Sequence, residues 1–480
     1  MSNKKAVEVF SDWADSYLNF ERTPKKNIFW LDTIDFLCKR FGNPQESFKS
    51  IHVAGSKGKG SVSVMISSII EEYGYKCGLY TSPHIVSLAE RIGTAAGELD
   101  ESIYEEALKE LMPRVESIIP DQLPNEREIT WFELITIYAF LCFRKAGLKY
   151  AVLETGMGGR LDSTNIVMPE ASVITPIELE HTEFLGDTIE QIASEKAGII
   201  KKKIPVFVAK QKPEALQVFK EKASAEESHL YYIADEVKSV SYKLPENTEN
   251  PLMHIKLEFN RFFSSPIETD IRLIGKTQAE NASLAALVTK VLFPDITEET
   301  IEKGLSKAKL PGRFEITQNP YCTGKKLPVI MDGAHTPNSL AYTLETFSTI
   351  FPSNPAHLLF GCAQDKKMSE LVKLLLKNPA LFNKISLTKP GCHKQSSLPE
   401  LVSAFEAELK RCKDEKIAQH SNVVLPEYKS YEDYTEAIMR ALFAAAAEET
   451  PLLVTGSFYL VSEVKKVLSA SESSRDGDSL

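Results

Sequence analysis

The stretch Ser50-Ile-His-Val-Ala-Gly-Ser-Lys-Gly-Lys-Gly-Ser-Val62 decides how the chain is read. Ser50 to Ala54 is a short β-rich run, a glycine cluster follows, and Val62 to Tyr73 carries apolar residues at helical spacing. Strand, glycine loop and helix in that order suit a phosphate group. Glycines let backbone N–H groups curl around phosphate oxygens, the helix N-terminus adds partial positive charge, and a lysine adds a point charge. Gly55, Gly58 and Gly60 would form the cradle, Lys59 would reach the outer phosphates, and the Ser61 hydroxyl would reach a phosphate or its magnesium. The standard phosphate-loop spacing is not met in full: Val53 stands where its first glycine would be, and Gly60 is inserted between the lysine and the hydroxyl residue. Taken alone, the segment is either a phosphate site or a tight strand-to-helix connection.

Outward from this loop the alternation recurs. Trp131 to Ala146 has helical spacing, Tyr150-Ala-Val-Leu153 reads as a strand ending in Glu154 and a glycine-rich turn, and Ala171-Ser-Val-Ile174 reads as another strand. Before the loop, Val7, Phe10, Trp13, Tyr17, Leu31, Ile34 and Leu37 keep helical spacing until Gly42-Asn43-Pro44 breaks it. Repeated strand and helix units argue for an α/β fold with a mostly parallel sheet covered by helices. Residues 225 to 275 differ. Leu230-Tyr-Tyr-Ile233 and His254 to Phe259 are short alternating segments without long helices between them, so a small, more antiparallel β addition is expected. Helix is expected again over Asn281 to Phe293. Pro311-Gly312 is the natural break, because a new α/β pattern starts after it: strand-like Leu327 to Met331, a helix from Ser339, and strand-like Ala356 to Phe360 and Leu452 to Thr455. The expected domains are 1–310, carrying the phosphate loop, and 311–468, a Rossmann-like α/β unit. Residues 469–480 are expected to be a polar, disordered tail.

Composition narrows the function. With 56 Lys and Arg against 66 Asp and Glu the net charge is −10, which disfavours the basic footprint of a nucleic-acid or anionic-membrane binder. Apolar residues at 43% and charged residues at 25% suit a globular chain rather than a disordered or fibrous one. Seven cysteines lie far apart with no C-x-x-C, so neither a disulfide framework nor a thiolate metal site is indicated and a reducing compartment fits. No apolar run follows the first lysines, and the most apolar stretch, Ile129 to Phe143, contains Glu133 and is too short to span a bilayer. A cytoplasmic protein is expected.

Three further clusters could carry chemistry. Glu154 lies at the carboxyl end of a strand, where open α/β sheets bind ligands, directly before Gly156, Gly158 and Gly159. Its carboxylate is a hard oxygen donor for magnesium, or else an exposed glutamate at a strand end. His181, among Glu178, Glu180 and Glu183, is either a metal ligand or a hydrogen-bonding residue. Lys196, in Glu195-Lys-Ala-Gly-Ile199, reads by itself as a helix-end lysine.

Together these segments resemble one family, the folylpolyglutamate synthases and dihydrofolate synthases of the Mur ligase superfamily. The resemblance runs over nearly the whole chain and keeps the family's order. It begins with His52 to Ser61, Tyr80-Thr-Ser-Pro-His84 with Glu90-Arg-Ile92, Glu154 to Asn165, and Glu180 to Gly186. It continues through Glu195 to Ile199, Leu310 to Glu315, Met331-Asp-Gly-Ala-His-Thr-Pro337 and Val454-Thr-Gly-Ser-Phe-Tyr459. What it implies is ATP-dependent joining of L-glutamate to a folate, with tetrahydrofolate or dihydropteroate as acceptor. Lys59 and its loop would hold the ATP phosphates, while Ser82, Glu154 and His181 would ligate two magnesium ions, Glu154 serving both. Lys196 matches a lysine that relatives carry as a carbamate. Asn281 and Arg313 would contact the nucleotide, Asp332 and His335 would close that site from the C-terminal domain, and Ser457 would meet the incoming glutamate. Lys59, Glu154, His181, Lys196 and His335 are thus the catalytic candidates, and a monomer is expected. Three departures from the family's pattern stand out: Glu180 where Asp usually precedes the histidine, Gly275-Lys-Thr-Gln278 where Gly-x-His-Gln is common, and Ser56-Lys57 in place of Thr-Asn.

Making an amide in water needs an activated carboxylate, because its oxygen is a poor leaving group. The implied route is attack of the acceptor's terminal carboxylate on the γ-phosphoryl group, giving an acyl phosphate that the amino group of L-glutamate then attacks. Water would destroy that intermediate, so closure of two domains is expected. The other readings are a Mur-type ligase for a different amino acid, a P-loop NTPase that ligates nothing, and a non-catalytic nucleotide binder. Gly60 and Asp332-Gly-Ala-His335 favour the folate branch over the first. A plain NTPase would leave the second domain's motifs unexplained, and a non-catalytic binder would leave the candidate metal ligands without a purpose.

Overall fold

The computed structural model describes residues 5–19, 30–322, 326–352, 355–364, 367–391, 396–419 and 425–477; Cys392 and residues 478–480 lie outside the described residues. The chain forms two compact units. The first takes in Met1–Tyr242, Ile255–Ile271 and Thr277–Leu310, and the second Lys243–His254, Arg272–Lys276 and Pro311–Leu480.

The first unit is built on eight strands: β1 (Lys49–Ala54), β2 (Cys77–Tyr80), β3 (Ile92–Thr94), β4 (Gly97–Glu98), β5 (Tyr150–Glu154), β6 (Ala171–Ile174), β7 (Val206–Val208) and β8 (Leu230–Tyr232). Their order is β4-β3-β2-β5-β1-β6-β7-β8. Strands β2, β5, β1, β6, β7 and β8 run parallel, and β3 and β4 add an antiparallel edge. The central strands β5, β6 and β7 are buried at every position, as is β1 beyond Lys49. Such unbroken burial is what a parallel sheet with helices on its faces requires. Helices Ala6–Ala14, Asp32–Arg40, Glu101–Glu116 and Trp131–Lys145 contribute to one core, where Phe10 stacks on Tyr138 at 4.5 Å. Helices Ile189–Ala197 and Pro213–Ala225 contribute to a second, around Ile192, Val208 and Phe219. Local chemistry sets where these helices start: Thr130 Oγ1 accepts from the Glu133 backbone N–H, and the Glu133 carboxylate accepts from that of Thr130.

Strand β8 departs from the sequence expectation. Leu230–Tyr232 pairs in parallel with β7 and extends the large sheet instead of joining the small β addition. Tyr231 stacks on Phe207 of β7 at 4.8 Å, a cross-strand aromatic pair that the alternation pattern alone does not reveal. The small sheet consists of β9 (Val237–Lys243), β10 (Met253–Phe259) and β11 (Ile267–Ile271) in the order β11-β10-β9. The following helix spans Lys276–Leu292, beginning directly after Gly275 (φ 121°) rather than at Asn281. Helix Lys59–Glu72, which leaves the glycine loop, is backed by helix Glu298–Lys307. A Cβ on Gly304 would stand 2.5 Å from the Ile69 Cα, and Ser68 Oγ donates to the Gly304 carbonyl at 2.7 Å.

The second unit carries β12 (Glu315–Gln318), β13 (Pro328–Met331), β14 (Ala356–Phe360), β15 (Phe382–Thr388), β16 (Glu427–Tyr431) and β17 (Leu452–Thr455) in the order β12-β13-β17-β14-β15-β16. Only the pairing of β12 with β13 is antiparallel among the described residues. Helix Pro337–Ile350 starts two residues before the expected Ser339, with Thr336 as its cap and a proline in its first turn. The final helix, Phe458–Gly477, runs into the segment from Ser469 that is expected to be disordered. Leu460, Val461, Val464 and Leu468 are buried along it, and once such a face is packed each further residue adds a hydrogen bond without a new nucleus. Among the described residues no helix is long and apolar enough to cross a membrane.

Candidate active site

The carboxyl ends of β1, β5, β6 and β2 bring the first group of candidates together, as expected for an open α/β sheet. Gly55 follows β1 at φ 148°, and a Cβ there would fall 1.8 Å from Thr175 Oγ1 at the end of β6. The Pro176 carbonyl accepts the N–H groups of Ser56 and Lys57 at 2.9 and 3.2 Å, which presses the loop onto that strand end. Gly58 (φ 86°) precedes helix Lys59–Glu72 without any side-chain cap, and Asn281 Oδ1 would lie 2.7 Å from a Cβ placed on it. The loop therefore leads into a 14-residue helix whose N-terminus no side chain caps, which leaves its first N–H groups for an anion. Lys59 Nζ donates back to the Gly55 carbonyl at 3.1 Å, and Gly60 and Ser61 are buried in the first turn.

Glu154 ends β5 and is 3% exposed, so it is not an exposed strand-end glutamate. Its Oε2 would be 3.4 Å from a Cβ on Gly60, and it accepts the Ser82 backbone N–H at 3.1 Å. The inserted Gly60 thus lets a carboxylate approach the helix N-terminus. The loop that carries Ser82 is shaped by Glu90, whose carboxylate accepts the N–H groups of Ile85, Val86 and Ser87 at 2.7, 2.8 and 3.0 Å. The Ser87-x-x-Glu90 spacing is the sequence signal for that arrangement.

The turn after Glu154 is organised by Asp162. Its carboxylate takes the N–H groups of Met157 and Thr164 at 2.9 and 3.0 Å and the Thr164 hydroxyl at 2.5 Å. Burial pushes this carboxyl upward against those donors. Thr164 Oγ1 in turn lies 2.8 Å from Nε2 of the buried His52, so the imidazole proton sits on Nε2. Burial, with Lys201, brings His52 down to about 3, so the ring stays neutral. Sequence reading misses this His52–Thr164–Asp162 chain.

Lys196 is not the bland helix-end lysine it resembles in sequence. It lies in the last turn of helix Ile189–Ala197 but is 1% exposed, and its Nζ donates to the Gly55 carbonyl at 2.7 Å and to Glu180 Oε1 at 3.1 Å. A Cβ on Gly159 would stand 3.0 Å from the Lys196 Cα, so a glycine of the β5 turn lets the lysine backbone come close. Burial lowers the Lys196 amine to about 8, with Glu180 opposing and Lys59 adding to the fall. Burial would raise Glu180, but Lys196, Lys59, Lys57 and His181 outweigh it and hold the carboxyl at about 2.

His181 precedes the short helix Thr182–Leu185, exposed and in left-handed backbone at φ 49°. Among the described residues no group of three or more His, Cys, Asp or Glu side chains gathers to hold a metal. Magnesium asks for less. It binds through one or two carboxylates with water and substrate phosphates as its other ligands. Glu154, with Ser82 beside it at the loop, fits that donor chemistry.

In the second unit, three turns hold the remaining candidates. The Gly333 N–H donates to the Gly312 carbonyl, that of Asp332 to Val454, and that of Gly456 to Ala334, each at 3.0 Å. Asp332 Oδ2 accepts the Phe314 N–H at 2.7 Å and Oδ1 accepts from Ala334 and Thr343 at 2.9 and 3.0 Å. Burial raises its carboxyl, while Arg313 and these donors work against the rise. His335 Nδ1 lies 2.8 Å from the Gly333 carbonyl. Ser457 is buried at the turn, its Oγ accepting from the Tyr459 N–H at 3.1 Å. Arg313 and His335 both lie against Phe458, a residue that sequence reading does not single out.

Two family models match the chain, the Mur ligase middle domain over residues 53–289 and the Mur ligase glutamate ligase domain over residues 312–458. A dihydrofolate synthase/folylpolyglutamate synthase of Bacillus subtilis is 31% identical over 440 residues, covering 90% of this chain and 93% of its own. The solved folylpolyglutamate synthase of Thermotoga maritima is similar with a TM-score of 0.74 at 27% identity, over 97% of this chain and 96% of its own. Escherichia coli FolC in complex with DHPP and ADP gives a TM-score of 0.75 at 25% identity, over 98% of this chain and 100% of its own.

Proposed function

Because the chain belongs to the Mur ligase family, in the folylpolyglutamate synthase and dihydrofolate synthase branch, we infer that it ligates L-glutamate to a folate at the expense of ATP. The observation that carries this reading at the level of atoms is the meeting of Gly55–Ser61, Glu154 and Lys196 at adjacent strand ends. Gly55, Gly58, Gly60 and Ser61 bind the triphosphate through the loop and the helix N-terminus, and Lys59 leaves the Gly55 carbonyl to pair with an outer phosphate. Asn281 contacts the nucleotide beside Gly58. Arg313, Asp332 and His335 have the roles toward the nucleotide that the family resemblance implies, and Ser457 that toward glutamate.

Ser82, Glu154 and His181 would hold magnesium, which would neutralise charge on the phosphates. Lys196 is the site of a carbamate. An amine at about 8 is about one-tenth neutral at pH 7, and the neutral form is the one that adds carbon dioxide, releasing a proton. Lys57 and Lys59 supply positive charge near the resulting anion, which Glu180 alone would repel. In the reaction the acceptor's carboxylate oxygen bonds to the γ-phosphorus as ADP leaves. The glutamate nitrogen then bonds to the acyl carbon as phosphate leaves, the nitrogen losing a proton. Lys59 offsets the charge in both steps. The protein works under this reading as a cytoplasmic monomer, with no nucleic acid or membrane involved.

The test is ADP release with ATP and magnesium, comparing L-glutamate plus tetrahydrofolate with L-glutamate plus dihydropteroate, with omission controls and mass analysis of the product. Product from tetrahydrofolate alone defines a tail-lengthening synthase, and product from both defines a bifunctional enzyme. ADP released regardless of acceptor, without folate product, would overturn the reading.

A further inference from the structure

We propose that Phe458 is a positioning residue, an aromatic platform that holds the Arg313 guanidinium and the His335 imidazole in one array within the second unit. The Arg313 Cζ lies 4.1 Å from the centroid of the Phe458 ring. The His335 ring meets the same ring edge-on, at 5.6 Å and 65°. One side chain therefore touches residues from two separate turns, the one after Pro311 and the one after β13. The chain has made room for it. A Cβ on Gly333 would fall 2.0 Å from Phe458 Cε1 and 2.1 Å from Cδ1, so a side chain at 333 and the ring cannot share this place.

The platform is itself anchored. Phe458 opens the final helix, and Lys465, two turns on and on the same face, bonds Glu315 Oε1 and Oε2 at 2.7 and 2.9 Å. Glu315 Oε2 also accepts the Gly312 N–H at 2.8 Å. The helix thus grips the 312–315 turn at two points, Arg313 and Glu315, and Arg313 lies between Gly312 and the glutamate that bonds it. A cation over a ring face is held there through its π contact and not through an N–H donor, so the ring fixes the plane of the guanidinium. Restricting a long side chain beforehand also lowers the entropy lost when ligand arrives.

The proposal rests on the reading that Arg313 and His335 act on the nucleotide, so the experiment separates the two. Glutamate-dependent ADP release is measured against ATP concentration for Phe458→Leu, Phe458→Tyr, Arg313→Ala and the Phe458→Leu/Arg313→Ala pair, with thermal unfolding as the check on folding. Phe458→Leu keeps apolar bulk and removes the π face, and should lower kcat/KM for ATP about tenfold, mainly through KM. Phe458→Tyr restores the ring and should stay within about twofold of wild type. Because Phe458 acts through Arg313 and His335, the loss from Phe458→Leu should be smaller in the Arg313→Ala background than in wild type. Wild-type kinetics in Phe458→Leu beside an impaired Arg313→Ala would overturn the proposal and leave the parent reading standing, as would losses that multiply in the double variant. Wild-type kinetics in Arg313→Ala would overturn both. Should Phe458→Leu not fold, Phe458→Met removes the π face as well and carries the same expectations.

Discussion

Replacing Glu180 by Gln should destabilise the first unit far more than replacing Lys196 by Met, although the two residues form one ion pair at 3.1 Å. Burial takes the Lys196 amine from 10.5 to about 8 even with Glu180 opposing, which amounts to about 3 kcal/mol spent on keeping it charged below pH 8. Glu180→Gln removes the nearest anion and leaves a buried ammonium, the situation in which a broken buried pair costs about 3–5 kcal/mol. Lys196→Met removes the ammonium together with its burial penalty. Glu180 then still has Lys59, Lys57 and His181 around it, so the net change should stay within about 1 kcal/mol. The pH dependence separates the two further. The folded pKa of Lys196 lies below its unfolded value, so wild-type stability rises between pH 8 and 10.5 as the unfolded chain holds the extra proton, and Lys196→Met loses that rise. Glu180 is held at about 2 against 4.5, so its contribution is complete above pH 4.5 and fades as pH falls toward 2; Glu180→Gln flattens that acid limb. Urea titration in carbon-dioxide-free buffer, where Lys196 is a plain amine, measures these differences. Trp13, Trp30 and Trp131 all belong to the first unit, so intrinsic fluorescence follows its unfolding. Equal destabilisation in the two variants, or a Glu180→Gln midpoint matching wild type, would refute the reasoning.

Lys59→Ala and Glu154→Ala should each abolish glutamate-dependent ADP release while the fluorescence-detected fold persists, and near-normal turnover in either would remove that residue from the site. Gly55→Ala meets Thr175 Oγ1 at 1.8 Å in backbone at φ 148°, so a loss of more than about 3 kcal/mol is expected in urea titration. An Ala variant as stable as wild type would show that the loop does not press on the end of β6.

Local features were the legible ones. The glycine loop, the strand before it and the turn after Glu154 each sit within a dozen residues, so pattern and turn chemistry suffice to place them. Lys196 was mute because its character comes from elsewhere: its Nζ bonds a carbonyl 141 residues away in sequence and its backbone nestles against Gly159. Only the family resemblance drew attention to it. Alternation places Leu230–Tyr232 in the small β addition while the strand pairs with β7, because alternation reports half-burial and not the partner strand. The final helix passed its expected end because polar composition argues against a core without forbidding continuation of a helix already packed. Phe458 went unnoticed for a related reason, since an aromatic at the start of a helix reads as core, and only the two residues converging on it make it more.

The route of the chain through the first unit bears on how it can fold during synthesis. Helix Lys59–Glu72 rests on helix Glu298–Lys307, and Ser68 and Gly304, which bond across that contact, are 236 residues apart. At about 5–20 residues per second, the ribosome delivers the second partner roughly 12–50 s after the first. Throughout that interval the buried side of the phosphate-loop helix lacks its cover, and Asn281 has not yet arrived beside Gly58. A chain released before residue 298 would lack the helix that backs Lys59–Glu72 altogether.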